Sequence, residues 1–315
     1  MTAKELTAGL FKLRFKALGT SCVVQFRAPS VESAKGYRTA ALAWIWEFEN
    51  TWSRFRPDSL LGQINASAGK TGIELTPEQD EVMRLCEHTY RTSREIIDPS
   101  SYPLTKLWDE AAERDEIPSE KMIQNALSFV GWEKVEFSSG HIFLPEEGMA
   151  LEIGGFGKEY AVDQLIVLAR SYEIEHALVD LGRDVATLGS PPHGPYWVVG
   201  AENAQELDAP LHRLAITNQA LATSGNGRRF RSIAGEKFGH IIDARSGFPV
   251  KNDLLTATCL ANDCLTAGLL STSACILGAE AGMAEINRSL NAEALFQTDT
   301  TTLFSHSIHL HLIAS

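Results

Sequence analysis

The stretch LEIGGFGKEYAVD, residues 151–163, opens on an apolar run that predicts a strand end. Glycines follow at 154, 155 and 157, and the spacing beyond them predicts an amphipathic helix over 158–172. A helix that starts near Gly157 turns unpaired N–H groups and the positive end of its dipole toward any anion in front of it. Lys158 adds a formal charge in the first turn, and the glycines let a ligand approach the backbone closely. The stretch matches neither GxGxxG nor GxxxxGK[ST]. Taken alone, it either cradles a phosphate or is a tight turn in which glycine relieves crowding.

The pattern on the N-terminal side is alternation at 11–26, which predicts strands around Leu18-Gly19-Thr20. A helix is expected over 31–55, with Ala41, Trp44, Ile45, Phe48 and Trp52 turned to a core. Thr76-Pro77-Glu78-Gln79 is a helix start and predicts a helix to about 97. A shorter helix is expected over 119–130, then a hairpin around 138–140. On the C-terminal side, HALVDLG, YWVVGAE, HRLAITNQALATS and LLTATCLA predict strands. Helices are expected over 263–277 and 279–290 before closing strands. The class is α+β, in one compact unit that admits two lobes.

The 315 residues are 44% hydrophobic and 22% charged, ordinary for a soluble globular protein. The net charge of -12 argues against a nucleic-acid surface. No stretch is long enough to span a bilayer. The N-terminus has no apolar h-region and Cys22 sits in a strand-like run, so neither a signal peptide nor a lipid anchor is expected, and the default compartment is the cytoplasm. The five cysteines form no CxxC pair and read as buried free thiols.

Four further stretches carry groups capable of chemistry. Thr223-Ser224-Gly225, followed by Arg228 and Arg229, is a hydroxyl-rich turn that either binds phosphate or caps the chain. GHIIDARSGFPV, 239–250, places His240 and Ile242 on one face of an extended segment and Ile241 and Asp243 on the other. There His240 is either structural or catalytic. EIIDPSSYPLTKLWDE, 95–110, marks a helix exit at Asp98-Pro99. HSIHLHL sets His309 and His311 on one face of an expected strand, a spacing that metal ligation allows but that lacks an acidic or cysteine partner nearby.

In their order along the chain these stretches resemble one family, the ApbE-type FAD:protein FMN transferases. LGT stands at a Met-Gly-Thr strand, and SRFRPDSLLGQIN, 53–65, at a Ser-x-Tyr/Phe-x-x-Asp-Ser…Asn segment. IIDPSSYPLTKLW, EIGGFGKEYAVD, VDLGRDVATLG, LATSG and HIIDARSG stand at the segments that follow, over roughly residues 11–280. The resemblance implies an ApbE/T-fold-like unit of residues 1–315, with a sheet-rich body, flanking helices and an FAD cleft between lobes. It implies FAD as substrate and Mg²⁺ at the pyrophosphate. FMN would pass to a Thr or Ser of a partner flavoprotein subunit as a phosphoester, with release of AMP. Leu18 and Phe55 would line the FAD rings, with Ile97 and Asp98 in the cleft. Glu152 and Lys158 would meet FAD, and Gly155 would offer a carbonyl to the metal. His240 and Ile242 would stand at the flavin and phosphate end. His240 would position or deprotonate the acceptor hydroxyl, with Thr223 and Ser224 nearby.

The chain departs from that pattern at the metal. The family's Ala-Asp-x-x-x-Thr helix is here CLTAGLLSTSACILG, with Thr272 at the Thr position and Gly268 where the Asp would be. Asp263 lies upstream and would substitute only if the segment shifted register. Leu18 replaces Met, Glu152 replaces Asp, Arg183 replaces Gly, and Glu159 replaces Gly at the turn expected to meet phosphate. The alternative is therefore an FAD-binding relative whose turnover is impaired.

Overall fold

The computed structural model describes residues 4–7, 9–206, 209–227 and 229–313. Eight helices run in chain order among them: α1 (Val31–Trp52), α2 (Leu60–Ala66), α3 (Pro77–Thr92), α4 (Tyr102–Arg114), α5 (Glu120–Leu127), α6 (Gly157–Ser171), α7 (Cys264–Leu277) and α8 (Ala279–Ile286). The strands begin with β1 (Lys4–Thr7), β2 (Leu10–Ala17), β3 (Thr20–Arg27), β4 (Ile73–Glu74), β5 (Glu136–Ser138) and β6 (His141–Phe143). They continue with β7 (His176–Leu181), β8 (Asp184–Leu188), β9 (Trp197–Gly200), β10 (Arg213–Ile216), β11 (Ala220–Gly225) and β12 (Phe230–Ile233). The last are β13 (Glu236–Gly239), β14 (Ile242–Asp243), β15 (Phe248–Pro249), β16 (Leu254–Ala261), β17 (Glu293–Thr298) and β18 (Thr302–Phe304). The chain divides into two compact units. One comprises 1–49, 156–224 and 253–315, the other 50–155 and 225–252.

The first unit is built on a nine-stranded sheet ordered β1-β2-β3-β7-β8-β11-β16-β17-β18. Near its edge β2 alternates, burying Phe11, Leu13, Phe15 and Ala17 while Lys12, Arg14 and Lys16 turn away. At its centre β8 is buried at every position and β16 at all but one, because both faces are covered. One face packs Leu178, Val185, Leu221, Leu260 and Leu295 under Trp197, Val199, Leu214 and Ile216 of the β9–β10 ribbon. Their strand neighbours Ala222 and Ala261 point the opposite way and meet Ala267 of α7. On this helical face α6 lies against β7 and β8, and α7 against β16 and α6. Two short turns set the register. Leu18-Gly19 joins β2 to β3 and Gly182-Arg183 joins β7 to β8, with positive φ at all four residues, the geometry of a type I′ hairpin.

The second unit centres on Trp108, which is fully buried among Leu104, Leu107, Ile123 and Ile233. Its indole Nε1 donates to the Gly247 carbonyl at 2.9 Å, which fixes the turn that carries the 239–250 stretch. All five cysteines of the chain are buried. Among the described residues no helix is long and apolar enough to cross a membrane.

Four local expectations are corrected. The LEIG run forms no strand: Leu151 pairs with the Asn65 side-chain amide, and the Glu152 N–H donates to the Pro99 carbonyl. The helix expected to run to about 97 stops at Thr92, because Arg94 and Glu95 take left-handed backbone and the Glu95 N–H returns to the Tyr90 carbonyl. The helix expected over 279–290 ends at Ile286. His309 lies in a 3-10 turn, Ile308–Leu310, with His311 just beyond it, so the two histidines share no strand face. The expected Arg228 lies outside the described residues.

Gly247 generates a stability prediction. Its φ is +79°, and a Cβ there would press on Leu127, come 2.6 Å from Ile123 Cγ2 and 3.2 Å from Leu104 Cδ2. Gly247→Ala is expected to cost about 3 kcal/mol, roughly 1–3 from overpacking and 1–2 from the left-handed backbone. Urea unfolding monitored by Trp fluorescence checks it.

Candidate functional site

In the first unit α6 starts at Gly157 with no side chain capping it. Its first turn sends Lys158 to Asp184 on β8, a carboxylate 2% exposed and in direct contact with the ammonium. Asp184 Oδ1 also accepts the Thr223 N–H at 3.3 Å. The Thr223 hydroxyl lies 2.9 Å from that of Thr258, and Ser224 Oγ lies 2.8 Å from Ser271 Oγ and 2.9 Å from Thr272 Oγ1. Lys158, Thr223, Ser224 and Thr272 are thus gathered where the start of α6, the end of β11 and the middle of α7 meet. Glu159 lies beside Gly268, and its Oε1 is 3.7 Å from the Lys158 ammonium.

The start of α7 is held from two sides. Asp263 caps it, accepting the Thr266 N–H at 2.7 Å, so no register shift brings this acid to the place of Gly268. Asp163 of α6 accepts the Cys264 and Leu265 N–H groups at 2.8 and 2.9 Å. Burial pushes the Asp163 carboxyl up to about 6, against the pull of those donors and with the charges of Asp263 and Glu159 adding to it. Arg183 does not fill the space in front of α6. Its guanidinium pairs with Glu202 at 2.8 Å, and its N–H donates to Asp180. The Leu18 N–H is fixed by Glu49 Oε1 at 2.9 Å.

In the second unit Glu152 is held by its neighbours. Its carboxylate pairs with Arg54 and accepts from Thr105 at 2.5 Å. Arg54 also lies over the Phe55 ring at 4.8 Å and the Tyr102 ring at 5.4 Å. Asp109 continues the line of charge, 3.9 Å from Arg54 and 2.7 Å from Arg231. Phe55 is 78% exposed, an open aromatic face beside a guanidinium. Gly155 lies against Ile97, whose Cγ2 would be 3.1 Å from an added Cβ. Asp98 faces inward: Oδ1 accepts from the Ser100 N–H and hydroxyl, Oδ2 from the Trp132 N–H. His240 Nδ1 is 3.1 Å from the Arg229 carbonyl, while Ile242 packs in part against the Trp108 cluster.

Sequence reasoning missed Arg54, Asp109, Arg231, Asp163 and Ser271 as participants. Asp184 stood inside a quoted stretch, and its burial is what makes it the Lys158 partner. Among the described residues no three His, Cys, Asp or Glu side chains converge as a metal cage.

The family model of the ApbE family matches residues 18–296. An FAD:protein FMN transferase of Klebsiella pneumoniae (strain 342) is 26% identical over 257 residues, 81% of this chain and 79% of the relative. One from Treponema pallidum (strain Nichols) is 25% identical over 301 residues, 89% of this chain and 82% of the relative. Among solved structures, the ApbE protein from Thermotoga maritima matches with a TM-score of 0.87 at 24% identity, over 97% of this chain and 100% of that one. Flavin transferase ApbE from Vibrio cholerae matches with a TM-score of 0.84 at 21% identity, over 96% and 99%. These structural likenesses show that the fold is shared.

Lys158→Ala strands a buried Asp184, so it is expected to lower stability by about 3 kcal/mol. Adding Asp184→Asn should recover most of that loss, as read from denaturant midpoints. The Asp163 carboxyl binds its proton more tightly folded, at about 6, than at its ordinary 3.8. Its contribution is therefore full below about pH 4 and is lost as pH rises through 6. Asp163→Asn is expected to flatten the fall in unfolding free energy between pH 4 and 7, compared with the wild type by urea titration.

Proposed function

The chain belongs to the ApbE family, and from that membership we propose that it is an FAD:protein FMN transferase, acting as one flavin-transferase domain. FMN moves from FAD to a Thr or Ser hydroxyl of a partner flavoprotein subunit. The acceptor oxygen bonds to the FMN-side phosphorus, the P–O bond to the AMP phosphate breaks, and AMP departs with that oxygen. The observation that carries this reading is the chain of contacts from Lys158, at the uncapped start of α6, through Asp184 and the Thr223 N–H to Ser224 and Thr272. There a pyrophosphate would find an ammonium, hydroxyls and unpaired backbone N–H groups.

Each remaining residue has a part in this reading. Phe55, with Arg54 on its ring, stacks on a planar ring of FAD, and Leu18 and Ile97 give apolar contact. Gly155 leaves room and a carbonyl beside Ile97. Glu152 acts through Arg54, which it orients, and Asp98 holds the loop that carries Ile97. Thr223 and Ser224, oriented by Thr258, Ser271 and Thr272, position the phosphates. His240 takes the acceptor's proton: a hydrogen on Nδ1, directed to the Arg229 carbonyl, makes Nε2 the basic nitrogen. Ile242 supports that segment from the Trp108 cluster.

The donors on α6 and α7 fit Mg²⁺. All are oxygens, from Glu159, Thr272 and Ser271, and Mg²⁺ is commonly held by one or two carboxylates together with substrate phosphates. When bound, the ion would neutralise charge developing on the pyrophosphate oxygens. Gly268 alone would favour the second reading, an FAD-binding relative without turnover; the carboxylate beside it favours the first.

FAD incubated with the chain, Mg²⁺ and a Thr-bearing acceptor subunit is expected to yield AMP, with FMN on the acceptor, followed by chromatography and mass spectrometry. The Lys158→Ala/Asp184→Asn protein should release AMP roughly 10²-fold more slowly. No AMP from the wild type, or an unchanged rate in the double variant, sinks the reading.

A further inference from the structure

Gly268 and Glu159 occupy one volume. Gly268 sits on α7 one turn before Thr272, on the face packed against α6. A Cβ on Gly268 would overlap Glu159 Cγ and lie 3.1 Å from its Cδ and 3.3 Å from its Cβ. Any side chain at 268 therefore requires the Glu159 side chain to move from this place. Conversely, Glu159 brings a carboxyl group from α6 to the surface of α7 where a residue at 268 would have begun its own.

That carboxylate is poorly provided for by the protein. Glu159 is 8% exposed, and its Oε2 is buried with no hydrogen-bond partner. A buried charged oxygen without a donor or counter-ion is costly. Glu159 Oε1 lies 3.7 Å from the Lys158 ammonium, and that ammonium is in direct contact with Asp184. Asp180 also draws on the Lys158 charge. Glu159 and Asp184 thus share one ammonium. One turn further along α7, Ser271 and Thr272 present hydroxyl oxygens joined through Ser224. An orphaned, buried carboxylate oxygen on the face of α7 that carries hydroxyl oxygens one turn further on describes a place for a hard divalent cation.

We infer that Glu159 supplies a divalent cation with the carboxylate that position 268 lacks, so the metal-binding acid stands on α6 instead of α7. The inference rests on the FMN-transferase reading only for what the cation does there. Its binding is measurable apart from turnover.

Mn²⁺ is titrated into the full chain, alone and with FAD, and bound metal is read from loss of the free-ion EPR signal. Four proteins are compared: wild type, Glu159→Gln, Gly268→Asp, and Glu159→Gly/Gly268→Asp. Wild type should bind one Mn²⁺, and Glu159→Gln should bind it roughly tenfold or more weakly, since even groups behind a metal ligand cost that much. Gly268→Asp alone should melt at a lower temperature, because its Cβ overlaps Glu159. The double variant should regain both the melting temperature and wild-type-like Mn²⁺ binding. Unchanged affinity in Glu159→Gln, or no Mn²⁺ bound by the wild type under either condition, overturns the inference. AMP release is scored separately. Release that persists while Glu159→Gln binds Mn²⁺ normally leaves the transferase reading standing and this one not. Affinity lost in Glu159→Gln with no AMP from any protein does the reverse.

Discussion

The contact of Lys158 with Asp184 is the constraint around which the first unit's polar site is arranged. An aspartate 2% exposed at the start of β8 is tolerable only with a cation beside it, and that cation comes from the first turn of α6. The pair therefore sets where α6 begins relative to the sheet. It also aims the open helix start at the end of β11, where Asp184 takes the Thr223 N–H and Ser224 reaches α7. Because β8 is buried throughout, the position of Asp184 is as fixed as the core itself.

The second unit handles charge differently. Glu152, Arg54, Asp109 and Arg231 form a line of alternating sign that is partly open to water, so each link is weaker than the buried pair. Its effect is geometric. Arg54 is held over Phe55 and Tyr102, and an exposed aromatic ring is kept in one orientation. The 151–155 segment has no ladder partner, and its backbone bonds go to Asn65 and Pro99. That is why an apolar run that reads as a strand end is a fixed loop.

Much of the architecture was legible in the sequence. Alternation marked β2 and β3, the capping box marked the start of α3, and Asp263 marked the start of α7, because these signals are local. The stop of α3 at Thr92 was not legible: it depends on two non-glycine residues in left-handed backbone. The same holds for the tail histidines: His309 lies in a 3-10 turn, and His311, just beyond it, reaches the Ala215 carbonyl of β10. Lys158, Ser224 and Thr272 stand out in the sequence as candidates, and the fold places all three in one unit. The inward turn of Asp98 was not, since Ser100 and Trp132 are its partners only in the folded chain. Glu159 was legible as a departure from the family pattern, but its place beside Gly268 needed the packing of α6 on α7.

That packing has a consequence for how such a pair changes over generations. Positions 159 and 268 share one side-chain volume, so no sequence holds an acid at both without displacing one of them. A lineage moving between the two arrangements one residue at a time has two routes. One passes through a crowded form, the other through glycine at both positions, which packs without overlap but has no acid at either. The second route is sterically open, and along it the acid is lost from one helix before it is gained on the other.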